Sequence, residues 1–241
     1  QRKKQRAEVL EKIASGEAQV IIGTQALLFD VEYHNLGLVV IDEQHRFGVD
    51  QRAALIDLAK RSNAGGAVPH VLVMSATPIP RTLSLTVYGD LSVSVIRSMP
   101  QGRQPIMTRI VFESDLPDVY EFIRSQVNDG FQAYVIYPLV EKSEKLELKS
   151  AVEHFDILKN EIFPDLKCGL LHGQMRWSEK VEAMQNFKDK QYDILVSTTA
   201  VEVGIDVPNA TVMLINDAHR YGLSQLHQLR GRVGRGRAAS S

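Results

Sequence analysis

The chain has 241 residues, 44% of them hydrophobic and 24% charged, the profile of ordinary globular protein in one large domain or two of usual size. Twenty-eight Lys and Arg against 29 Asp and Glu leave a formal net charge of −1, so nucleic-acid binding cannot follow from global charge. It has to rest on local patches, residues 1–6 or the series Arg230, Arg232, Arg235 and Arg237. No run of about 18 apolar residues exists, which argues against a membrane-spanning helix and a membrane partner. The basic start leads into an amphipathic pattern and not into a secretory signal. The single Cys168 excludes an internal disulfide and fits a reducing, cytoplasmic setting. The chain does not open on Met, and residues 237–241 follow a motif without closing an element, so a piece of something longer is expected.

Taken in order, residues 7–14 have helical spacing with Val9, Leu10 and Ile13 on one face, and Gly16 ends the helix. Ala18 to Ile22 reads as a strand with Gly23, Thr24 and Gln25 as the loop at its carboxyl end. Leu38 to Ile41, four apolar residues in a row, suits a strand buried on both faces of a parallel sheet. Residues 50–60 read as helix and His70 to Met74 as another β run, broken by Ser75-Ala-Thr-Pro-Ile-Pro80. Residues 97–105, with two Pro and one Gly, form a linker.

A second α/β pattern follows. Thr108 to Phe112 is a predicted strand, and 115–128 a helix opened by Ser114 or Asp115. Ala133 to Tyr137 is a strand, and the charged residues 141–147 read as a solvated loop. Then come helix 148–162, strand 167–171, helix 176–188, strands 193–197 and 212–215, and a last helix at 223–230. This alternation predicts two α/β domains built on parallel sheets covered by helices. Their bounds are 1–99, a linker at 100–107, and 108–241.

Chemistry concentrates at the strand ends, where open α/β sheets bind ligands. Asp42 and Glu43 follow strand 38–41 at once. The first suits Mg2+ on a bound nucleotide, the second an attacking water that it orients or deprotonates. The alternative is a surface Asp-Glu turn. Ser75 and Thr77 are turn chemistry ahead of Pro78 in isolation. Beside an Asp-Glu strand end they become a hydroxyl pair linking the nucleotide site to a neighbouring surface. His172 and Gly173 follow strand 167–171; a His there is more often a structural hydrogen-bonder. Ser197, Thr198 and Thr199 suit backbone phosphates of a nucleic acid. Gly204 permits close backbone approach, and Asp206 reaches for a ribose or a coupling partner. Gln228, Arg232 and Arg235, spaced by four and three, fall on one helical face, with glycines between them. Planar guanidinium groups there suit charge on a transferring phosphoryl group, a contact that can supply about 10³–10⁵ in rate.

The order Gly-Thr-Gln-Ala-Leu-Leu (23–28), Asp-Glu-Gln-His (42–45), Ser-Ala-Thr-Pro (75–78), Val-Gly-Ile-Asp (203–206) and Gln-Leu-Arg-Gly-Arg-Val-Gly-Arg (228–235) resembles the motif series of superfamily 2 helicases. Within it, Asp-Glu-Gln-His-Arg-Phe-Gly-Val (42–49), Pro-Ile-Pro-Arg-Thr (78–82) and Pro-Leu-Val-Glu-Lys-Ser-Glu-Lys-Leu (138–146) are similar to the RecG-type branch-migration helicases. The transcription-repair coupling translocases, the nearest rival, usually have Glu where this chain has Gln44.

The resemblance implies two RecA-like lobes, the first truncated at its amino end, with ATP and Mg2+ bound between them and hydrolysis driving movement on duplex or branched DNA. It implies a monomer acting in DNA repair and recombination on forks and Holliday junctions. Asp42 would hold Mg2+, Glu43 would be the catalytic base, and Gln44, His45, Ser75 and Thr77 would couple the ATP site to DNA. Gly204 and Asp206 would touch nucleotide or DNA, and Gln228, Arg232 and Arg235 would close on the γ-phosphate. Gly23, Thr24, His172, Gly173, Ser197, Thr198 and Thr199 would contact nucleic acid. One departure is large. No Gly-x-x-x-x-Gly-Lys-Ser/Thr phosphate loop occurs in these 241 residues. In the family it precedes the segment matching residue 1, so the chain by itself is expected to bind nucleic acid without hydrolysing ATP.

Overall fold

The computed structural model describes residues 2–29, 31–43, 69–75, 92–96, 98, 105–138, 144–198 and 205–234. The chain divides into two compact units, Gln1–Val93 and Ser94–Ser241. The helix expected at 50–60, most of the linker and Gln44, His45, Thr77, Thr199, Gly204 and Arg235 lie outside the described residues.

In the first unit, helix α1 runs Arg2–Ala14 and buries Ile13, which is 2% exposed. It closes at Gly16, whose N–H donates to the Ile13 carbonyl at 3.2 Å and whose φ is +80°, a left-handed value suited to glycine. Strands β1 (Leu38–Ile41) and β2 (His70–Val73) pair in parallel, Leu38 opposite His70 and Ile41 opposite Val73. Val39, Val71 and Val73 pack with Ile41 against Leu28, Tyr33 and Leu36. The other face is open: Leu38 is 56%, Val40 52% and Leu72 49% exposed. The expected burial of 38–41 on both faces is therefore not met, because residues 28–36 supply a layer on one side alone among the described residues. The strand expected at Ala18 to Ile22 is absent as well. That segment bends at Gln19 and Val20 and has no ladder, and Ile22 is 93% exposed.

The second unit has a four-stranded, all-parallel sheet in the order β4-β5-β3-β6, from β3 (Gln132–Ile136), β4 (Cys168–Leu171), β5 (Ile194–Ser197) and β6 (Ala210–Ile215). Period-two alternation sends Ala133, Val135, Ile194 and Val196 to one face. There they meet Ile123 of α2 (Leu116–Asn128), together with Leu158 and Phe163. Tyr134, Ile136 and Leu195 point the other way, onto Ala183, Met184 and Phe187 of α4 (Trp177–Lys188) and Leu229 of α5 (Leu223–Arg230). Tyr134 and Phe187 meet edge to face with ring centroids 4.9 Å apart. All nine residues of β3 and β5 are buried, as expected of strands covered on both sides.

Two local expectations change here. Thr108 to Phe112 forms no strand, and Ile110 is 90% exposed. Glu144 to Glu147, read as loop, begins helix α3 (Glu144–Ile157), which continues into a π-turn at Leu158–Ile162. Asp115 does sit at the start of α2, but its carboxylate reaches back to accept the Phe112 N–H at 2.9 Å and does not cap the helix forward.

Candidate nucleotide and nucleic-acid sites

Parallel pairing brings the carboxyl ends of β1 and β2 level. The Met74 N–H donates to the Ile41 carbonyl at 2.7 Å, so Asp42 and Glu43 emerge beside Met74 and Ser75. Asp42 is exposed, and its Oδ1 accepts the Glu43 N–H at 2.9 Å. Glu43 is half-buried and has φ +53°, the left-handed region that a residue with a Cβ adopts at a cost of about 1–2 kcal/mol. Such strain gathers at functional positions, where surrounding structure holds it. Ser75 is half-buried on the neighbouring strand end. Two of the expected strand ends therefore share this edge. Gly23 and Thr24 follow no strand, and Thr24 caps a 3-10 turn, Gln25–Leu28, its hydroxyl accepting the Ala26 N–H at 3.5 Å.

A divalent ion fits Asp42 in one particular way. Among the described residues, no three His, Cys, Asp or Glu side chains gather to form a cage. One exposed carboxylate suits Mg2+, which keeps several waters and takes its other ligands from substrate phosphates.

In the second unit the four strand ends also lie level, with Leu171 and Ile136 both opposite Ser197, and Ile136 opposite Ile215. The Thr198 N–H donates to the Leu171 carbonyl at 3.3 Å and the Asn216 N–H to the Ile136 carbonyl at 2.8 Å. His172 and Gly173 thus stand beside Ser197 and Thr198, as the sequence groups them. Their exposure differs. Ser197 is fully buried and Thr198 is 6% exposed, whereas Gly173 is exposed and His172 half-buried. Burial, then the nearby Lys180 cation, hold the His172 imidazole below its ordinary pKa, so it is neutral at pH 7.

The basic motif departs from a single helical face. Helix α5 stops at Arg230; the Gly231 N–H still reaches the His227 carbonyl at 3.1 Å, but the Arg232 N–H turns to Leu229 at 2.9 Å. Gln228 is therefore on the helix and Arg232 in the turn beyond it, both half-buried, so helical spacing alone no longer fixes their alignment. Leu229 and Val233, each 1% exposed, anchor the turn in the core. Gly234 has φ +73°, which accounts for its glycine by backbone conformation. Asp206 is exposed just before the buried Val207.

Sequence reasoning passed over Asp217, which follows β6 at the same edge with φ +49°. An acidic residue near the end of a buried apolar strand, here one residue beyond Asn216, is a weaker form of the signal that picked out Asp42. Tyr137 at the end of β3 stacks on His154 of α3, ring centroids 4.2 Å apart. Its hydroxyl is pushed above its usual pKa, chiefly by burial.

Comparison with known proteins accords with this layout. The helicase conserved C-terminal domain matches residues 115–237, and the DEAD/DEAH box helicase family matches residues 1–86. The ATP-dependent DNA helicase RecG of Synechocystis sp. is 54% identical over 96% of this chain and 27% of its own length. That of Aquifex aeolicus is 55% identical over 96% of this chain and 28% of its own. A structure of RecG bound to a three-way DNA junction superposes with a TM-score of 0.68 at 46% identity, over 97% of this chain and 29% of that one. Yeast Dbp5 bound to RNA and ADP BeF3 shares the fold, at 15% identity with a TM-score of 0.56, over 86% of this chain and 53% of that one. The chain spans about a quarter to a third of the curated relatives' length. Its two units are RecA-like lobes, and the chain belongs to the helicase family defined by the conserved C-terminal domain, with RecG-type sequence throughout.

Proposed function

We propose that the whole protein is an ATP-dependent DNA helicase of the branch-migration type, working as a cytoplasmic monomer on duplex or branched DNA. The observation that carries this is the similarity to RecG at 54–55% identity along 96% of the chain, with the Asp42-Glu43 pair set at a parallel strand end. Residues 1–99 are the carboxyl part of the first lobe, 100–107 the linker, and 108–241 the second lobe. Asp42 would hold Mg2+, which would supply positive charge to offset that of the ATP phosphates, and Glu43 takes the proton of the attacking water. The second lobe brings Gln228, Arg232 and Arg235 to the developing negative charge, with Gly204 and Asp206 touching nucleotide or DNA. Gln44, His45, Ser75 and Thr77 relay the state of the nucleotide to DNA contacts at Gly23, Thr24, His172, Gly173 and Thr199; Ser197 and Thr198, first expected to join them, are buried and offer DNA no side-chain surface. ATP-phosphate release by the whole protein should rise on adding duplex DNA; a rate that ignores DNA contradicts the reading.

The missing Gly-x-x-x-x-Gly-Lys-Ser/Thr loop supports a second statement, about residues 1–241 alone. Without that backbone cradle and its Lys, they bind nucleic acid through phosphate contacts, weakened by salt, and do not turn ATP over.

A further inference from the structure

The one Trp of the chain stands at the surface. Trp177 is the first residue of α4 and is 66% exposed. It continues the helix row of Val181 and Met184 that packs into the core, but the row overruns the core at this end. Trp is highly buried on average, so the indole at the end of a core-facing row is apolar surface that these 241 residues leave uncovered.

Its surroundings are polar and cationic. Arg176 precedes it and is exposed, and Lys180 lies one turn further on. The Lys180 ammonium donates to the Gly173 carbonyl at 2.6 Å, which fixes that cation over the loop 172–176. Glu179, the neighbouring acid, accepts the Arg176 backbone N–H at 2.7 Å. The Met175 N–H bonds to the His172 carbonyl at 3.3 Å, and the His172 N–H points to the Met175 sulfur at 3.4 Å, so the loop is tied to the β4 end. An exposed aromatic ring with one cation next to it in the chain and another one helical turn on suits a nucleic acid, which offers a base to stack and phosphates on both sides. In the chain around Trp177, Gly173, Gln174, Arg176, Ser178 and Glu179 are exposed and none is apolar, whereas Met175 and Val181 turn partly into the core, so an apolar protein partner would find little beyond the indole.

We propose that Trp177 is a stacking platform for an unpaired nucleobase, with Arg176 and Lys180 taking the flanking phosphates. The inference rests on the nucleic-acid reading of His172 and Gly173 and extends it to three residues which that reading leaves out. Stacking of this kind tolerates any base, since each has a π-face.

The test uses the 241-residue chain and a short, fluorescently labelled oligothymidylate at low salt. Trp177 is the only source of indole emission. Its fluorescence should be quenched saturably, with the same midpoint as the rise in oligonucleotide anisotropy. Trp177→Ala should weaken binding roughly 5- to 150-fold, and Trp177→Phe should keep most of the affinity. Anisotropy without quench, or Trp177→Ala binding within about twofold of the parent, overturns the inference and leaves the nucleic-acid reading standing. Self-association that Trp177→Ala abolishes, again without quench, assigns the indole to a protein contact and also overturns it. No binding by either readout overturns both the inference and the reading beneath it.

Discussion

Replacing Glu43 by glycine separates backbone strain from chemistry. At φ +53° the glutamate carries about 1–2 kcal/mol of left-handed strain, which glycine does not. Glycine also frees the unfolded chain, which offsets the gain by about 0.5–1 kcal/mol. The Glu43 N–H bond to Asp42 is a backbone contact and survives either substitution. Glu43→Gly should therefore lie between unchanged and about 1.5 kcal/mol more stable, while Glu43→Gln, with the strain intact, should stay within about 0.5 kcal/mol of the parent. Denaturant titration reads both. In DNA-stimulated ATP hydrolysis by the whole protein, both variants should lose about 10²–10⁴ in rate, since each removes the carboxylate. Destabilisation by Glu43→Gly beyond about 1 kcal/mol would refute the strain argument. Turnover at the parental rate in either variant would remove Glu43 from the catalytic role.

Gly169 in β4 lies against the Tyr192 ring, and a Cβ there would approach ring atoms to 2.4 and 2.7 Å. Gly169→Ala should destabilise the second unit by about 1–3 kcal/mol, and an unchanged thermal melt would contradict that packing. Burial, followed by the Asp193 charge, pushes the Cys168 thiol up to about 11 from an ordinary 9.0. At pH 8 its thiolate fraction is then about 100-fold below that of an ordinary cysteine, so alkylation by iodoacetamide should be slower by at least that factor than in the denatured chain. Rapid labelling of the folded chain would show the thiol to be accessible.

The second unit was legible because its signals are local and redundant. Strands β3 to β6 are short apolar runs between helices whose periodicity, starts and stops all agree, and the predicted bounds fall within two residues of those found. The misses have physical causes. Ala18 to Ile22 and Thr108 to Phe112 are apolar runs of the same quality. Ile22 and Ile110 nevertheless stand 93% and 90% exposed, because a strand is a property of a pair and these segments have no ladder among the described residues. Charge at 141–147 suggested a loop, yet charged residues such as Glu and Lys are also good helix formers, and α3 begins at Glu144. For Gln228 and Arg232 the helical spacing assumed a helix that runs on, whereas α5 ends at Arg230. The Asp42-Glu43 pair could be read from four apolar residues followed by two acids. The left-handed turn at Glu43 could not, since nothing in the residue type asks for it.

The most direct measurement is strand separation of a three-way DNA junction by the whole protein, wild type beside Glu43→Gln. The wild type should part the strands with ATP and fail with a non-hydrolysable analogue. Glu43→Gln should bind the junction and leave it intact. Separation that proceeds without hydrolysis, or that Glu43→Gln performs as well as the wild type, would contradict ATP-driven strand separation with Glu43 as the catalytic base.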